Sequence, residues 1–142
     1  MPSRDDAANM EIVDSIAAGN KSATEDGAAV DVTECDSATV TIAFGDAAAD
    51  AGATYKVQER EDGGSWVDLA PVLKPALNSK LLGLPYGVPS ANETTRYAYV
   101  GNAKDIRVVL GGTVADTDMH AQVIKTRLNR LPHQEGFTVA NP

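Results

Sequence analysis

One cysteine in 142 residues leaves no intrachain disulfide to form and no cysteine metal cluster to build. That residue, Cys35, sits in the run TECDS, where only acids surround it. Neighbouring carboxylates raise a thiol pKa, so Cys35 reads as a structural thiol rather than a nucleophile. Cations are scarce too, at 12 Lys and Arg against 20 Asp and Glu, for a formal net charge of −8. Nucleic-acid binding needs clustered Lys and Arg to displace phosphate counterions, which argues against that partner class. An acidic surface favours solubility and a basic or mixed-charge protein partner. Aromatics are few: one Trp, four Tyr and two Phe. Any core must therefore be built mostly from Val, Ile, Leu and Ala. No run approaches the ~20 apolar residues of a membrane-spanning helix. The opening MPSRDDAANM also lacks the apolar stretch of a signal peptide. The expectation is a protein made in the cytoplasm that leaves it only as part of something larger, with no membrane partner.

The length suits one domain with a real core. Its centre is the stretch TYKVQEREDGGSWVDL, Thr54 to Leu69. Tyr55, Val57 and Glu59 alternate with Lys56, Gln58 and Arg60, the period-two pattern of a half-buried strand. Asp62-Gly63-Gly64 supplies residues able to take positive φ in a turn. The return strand carries Trp66, which reads as a core anchor packed on Tyr55, with an exposed ligand platform as the alternative.

Other strands follow the same logic. Met10 to Ala18 fits either a helical face or a strand and is assigned as a strand. Lys21 to Gly27 reads as a polar loop, Ala28 to Val32 as a short strand, and Thr33 to Asp36 as a turn. Ser37 to Gly45 alternates most clearly, with Ala38, Val40, Ile42 and Phe44 facing inward. The Ala-rich 46–53 stretch reads as a loop. Thr94 to Gly101, Lys104 to Leu110 and Asp118 to Arg127 complete a set of about eight strands joined by Gly, Asn and Asp turns. That spacing predicts an all-β fold, an antiparallel β-sandwich or barrel. Residues 10–127 would form the body, with extended arms at 1–9 and 128–142. Between the strands, Ala70 to Asn92 carries Pro71, Pro75, Pro85 and Pro89 yet is rich in leucine. A loop of this kind covers the end of a core or lies on a partner.

The chain offers little chemistry. Asp118 and His120 share a strand face and could pair, but no strained serine accompanies them, and the bland reading is a polar face on an edge strand. Asp116-Thr117-Asp118 has the first two acids of a calcium loop and none of the rest. Asp5-Asp6, Asp46 with Asp50, and Glu61-Asp62 read as solvated charge. Neither Gly63-Gly64 nor Gly111-Gly112 opens a helix, so neither resembles a phosphate loop. Trp66, Tyr97 and Tyr99 could form a carbohydrate platform, though their spacing suits core packing as well. The expectation is no enzyme, no cofactor and no metal.

Five stretches in order carry a resemblance: MPSRD, GAAVDVTECDSATVTIAFG, YKVQEREDGGSWVDL, RYAYVGNAKDIRVVL, and Pro132-His133 after the last strand. Together they resemble a family of small virion proteins of tailed bacteriophages, encoded near the major capsid protein. The chain departs from that pattern in a longer Pro/Leu loop and a longer C-terminal end. The resemblance implies a cement or decoration protein on the capsid surface, assembled in the host cytoplasm. Its partners would be the major capsid protein and neighbouring copies of itself. The implied contacts are Pro2, Ser3 and Arg4 in the first arm, then Leu77, Leu81, Leu82 and Tyr86 in the loop. Arg130, Pro132, His133 and Phe137 would serve in the second arm. A head–tail or tail position, or a carbohydrate-binding sandwich, are the alternatives.

Overall fold

Cys35–Phe44 shows why this chain makes sheets: Ala38, Val40, Ile42 and Phe44 are buried while the residues between them are not. β-Branched side chains at those positions pack well on a pleated surface. A computed structural model describes residues 10–45 and 52–128. The arms at 1–9 and 129–142 and most of the Ala-rich loop (46–51) lie outside the described residues.

Ten strands are described: β1 Met10–Lys21, β2 Glu25–Asp26, β3 Val30–Asp31, β4 Cys35–Phe44, β5 Ala53–Arg60, β6 Val67–Leu69, β7 Leu81–Leu82, β8 Thr94–Tyr99, β9 Asp105–Gly112 and β10 Thr117–Leu128. They form two antiparallel sheets facing one another. The first runs β1-β10-β4-β8-β7; the second runs β2-β9-β5-β6, with β3 also on β9. Of the two architectures expected, the sandwich is the one formed, with no closed barrel. Among the described residues no helix is long and apolar enough to cross a membrane.

The core lies between the sheets. Ile16, Val40, Ile42, Tyr97, Ala121 and Val123 come from the first; Val57, Ile106, Val108 and Leu110 come from the second. β1 is indeed a strand, and longer than expected, with register shifts between Asp14 and Ile16 and between Ile16 and Gly19. At the first shift Ser15 turns inward and joins the two sheets. Its hydroxyl donates to the Ala28 carbonyl and accepts from the Val108 amide, both at 3.0 Å. The Gly27 amide donates to the Val108 carbonyl in the same place, where a Cβ on Gly27 would sit 2.4 Å from that oxygen. A glycine is therefore needed for the sheets to approach so closely. The 21–27 stretch, expected to be wholly loop, thus contributes β2 beside β9.

Two placements differ from the sequence reading. Trp66 is half-buried on the outer face of the second sheet, not in the core. The β5–β6 ladder ends at Glu59 and Val67, so the turn is wide and the return strand begins after Trp66. Leu69 takes the inward phase, and a period of two then sends residues 66 and 68 outward. Tyr55 packs instead on Phe44 and Tyr86, with ring centroids 5.6 Å apart in each pair. Likewise β10 is not an edge strand, because β1 pairs along its outer side.

Candidate partner-binding surfaces

The residues best equipped for chemistry are built into ladders. His120 Nε2 lies 2.8 Å from Asp14 Oδ1 on β1, not against Asp118. Gln122 also reaches that carboxylate at 3.3 Å. The His120 contact, then the Gln122 hydrogen bond, hold the Asp14 carboxyl below its usual range. Asp118 and Asp116 both accept from Asn20 Nδ2, at 2.9 and 2.6 Å. Among the described residues no group of three or more His, Cys, Asp or Glu could hold a metal ion. Cys35 is half-buried 3.4 Å from the Val32 carbonyl, and burial pushes its thiol pKa up.

The carbohydrate platform does not form. Tyr97 is 1% and Tyr99 7% exposed, both turned into the core. Tyr97 continues a ladder of rings running from Phe44 through Tyr55 and Tyr86. Trp66 instead lies against two guanidinium groups, with Arg60 4.4 Å and Arg107 4.2 Å from the ring centroid. Those arginines are themselves fixed, Arg60 by Asp105 and Arg107 by Gln58. A cation over an indole face is favourable even at a surface.

Of the two expectations made for the 70–92 loop, the covering of the core is met in part. Part of it covers the core: Leu81 is fully buried, and Pro89 is buried as well. The Tyr86 hydroxyl donates to the Leu69 carbonyl at 2.6 Å and accepts from the Val57 amide at 3.0 Å. Burial pushes the Tyr86 pKa up to about 12. Leu81 and Tyr86 therefore pack within the chain's own fold, Tyr86 remaining half-buried, and Leu82 is half-buried on β7. Leu77 differs, being 97% exposed at the loop's tip. Leu73, Leu84 and Val88 are exposed as well.

A carboxylate pins this loop to the hairpin. Glu59, on the inward phase of β5, is buried; it accepts from the Tyr99 hydroxyl at 2.7 Å and pairs with Lys80 at 2.5 Å. The signal was present in the alternation, since Glu59 follows Tyr55 and Val57 on one face. What no local pattern reveals is that Lys80, 21 positions later, supplies its counter-charge.

The sandwich thus has two different sides. On one, β1 begins where β10 ends, with Met10 opposite Thr126, so the start of the first strand and the end of the last lie side by side. There Lys125 is buried and paired with Glu11 at 2.6 Å. On the other side, β7 and β6 are the edges, and the Leu77 loop connects them. The remaining implied contacts, Pro2, Ser3, Arg4, Arg130, Pro132, His133 and Phe137, lie outside the described residues.

No protein-family model matches the sequence, and no curated protein does. A solved structure described as "Bacillus endospore appendages form a novel family of disulfide-linked pili" is similar over 84% of this chain and 90% of its own, at 12% identity and a TM-score of 0.38. A likeness so distant bears on neither lineage nor function.

Proposed function

We propose that this chain is a structural, non-catalytic protein of a tailed-phage head, a cement or decoration protein that binds the major capsid protein and neighbouring copies of itself. The observation that carries the reading is the arrangement of its two sides. Met10 and Leu128, to which residues 1–9 and 129–142 attach, lie toward one edge of the five-stranded sheet, while the exposed leucine loop stands at its opposite edge. A rigid body with separate contact regions on opposite sides can touch two neighbours at once. On a repeating lattice many such weak contacts add up to avidity. The histidine, the acids and the tyrosines described above are engaged in holding the fold, which is in keeping with a protein that binds rather than turns over a substrate.

The test is addition of the purified full-length chain to heads that lack it, followed by imaging at subunit resolution. The expected result is saturable binding over the whole shell and a higher temperature of head disruption. A single ring of copies at one vertex would move the protein to the head–tail junction. Failure to bind heads at all would overturn the reading.

A further inference from the structure

Leu77 is held out from the surface by a framework of hydrogen bonds. The Ser79 amide donates to the Ala76 carbonyl at 3.1 Å, and the Ala76 amide donates to Ser79 Oγ at 2.8 Å, closing a turn around it. The stems are tied by Val72 to Leu81, Gly83 to Val72 and Val100 to Lys80. An isolated exposed leucine is ordinary. One presented by a preformed turn loses little conformational entropy on binding.

Two hollows flank it. One, of about 400 Å³, is lined by Leu69, Val72, Ala76 and Leu77 itself together with the polar Ser79 and Lys80. The other, of about 310 Å³, lies toward Val100 and Gly101. A knob beside a hole on one surface is what a twofold contact between identical molecules requires, because each copy must offer both halves. Charge favours the same pairing. From residue 69 to residue 92 the only charged residues are Lys74 and Lys80, in a chain of net charge −8. A loop without acids is where two otherwise acidic copies can approach, and Lys74 of one copy can face Glu61 and Asp62 on the adjoining hairpin of the other, Lys80 and Asp68 being already paired within the chain with Glu59 and Lys56.

We propose that the 73–80 loop is a self-association site, in which Leu77 of one copy seats in the hollow beside Leu77 of a second copy. This deepens the reading of the protein as a lattice component by assigning the contact between copies to one loop. It is testable in free solution, without any head present.

The experiment is sedimentation equilibrium of the full-length protein over a wide concentration range, repeated on Leu77→Ser. A second arm oxidises an Asn78→Cys variant carrying Cys35→Ser. The expected result is a weak monomer–dimer equilibrium that Leu77→Ser weakens roughly a hundred- to ten-thousand-fold, the effect of losing two buried leucines, one from each copy. The cysteine variant should yield a disulfide-linked dimer at concentrations where the protein associates. Because Leu77 makes no part of the core, the thermal midpoint of Leu77→Ser should be unchanged, separating lost association from lost folding. A protein that stays monomeric and gives no cross-linked dimer would overturn the proposal, as would a dimer indifferent to Leu77→Ser. If Leu77→Ser instead abolishes head binding by a monomeric protein, the loop grips another chain; the homophilic site is then wrong while the head reading stands. Dimerisation through Leu77 without head binding would support the loop site and overturn the head reading.

Discussion

Among single residues, Glu59 shows best how an apparent conflict is resolved. A carboxylate at 4% residue exposure is costly unless it is paired and hydrogen-bonded. Lys80 supplies the charge and Tyr99 the hydrogen bond, while Tyr99 Oη also accepts from the Ala103 amide at 2.9 Å. Replacing Tyr99 by Phe removes both bonds but retains the ring. The expected cost is about 2–3 kcal/mol, because a buried carboxylate and a buried amide each lose a partner. Urea unfolding should show a lower midpoint with an unchanged slope; a midpoint equal to wild type would mean that water replaces the hydroxyl. Trp66 illustrates the opposite case. Its size suggested the core, yet strand phase placed it outside, where Arg60 and Arg107 cover its ring.

At the level of elements, the 70–92 loop is the informative one, since its four prolines forbid a central strand while its leucines call for burial. The structure divides those leucines by position. Leu81 pairs with Tyr99 on β7 and is 0% exposed, whereas Leu77, four residues earlier, is 97% exposed. Alanine at position 81 should destabilise the fold by roughly 2–5 kcal/mol through the cavity it leaves. Serine at position 77 should change stability by no more than about 0.5 kcal/mol. Thermal or urea unfolding of the two variants side by side checks this, and equal losses would show that the loop folds as one cooperative unit with its tip.

For the molecule as a whole, the packed tyrosines set an alkaline limit. Burial raises the pKa of Tyr86, Tyr97 and Tyr99, with a Tyr55 hydrogen bond adding to Tyr97 and a Glu59 hydrogen bond adding to Tyr99. In the unfolded chain these phenols ionise near about pH 10. Above that pH the unfolded state has lost protons that the folded state still holds, so stability falls as pH rises. The contribution is complete below about pH 10 and for Tyr86 declines toward its folded value of about 12. Ultraviolet titration of the native protein should therefore show most tyrosine absorbance change arriving together with unfolding. Independent ionisation of Tyr86, Tyr97 and Tyr99 near about pH 10 in a still-folded protein would contradict this packing.

Much of this architecture is written locally. Alternation in residues 37–45, 54–60, 105–110 and 118–127 is enough to declare strands and to name the faces they bury, because side-chain direction in a strand has a period of two. Composition alone likewise disfavours disulfides and a nucleic-acid surface. Pairing is another matter. That His120 meets Asp14 rather than Asp118, that Lys80 neutralises Glu59, and that Ser15 joins the sheets depends on strands distant in the chain. Such contacts follow from register between strands and packing between sheets, which no short window of residues contains. The same holds for the two sides of the sandwich: only the order β1-β10-β4-β8-β7 places Met10 and Leu128 toward one edge and the Leu77 loop at the other.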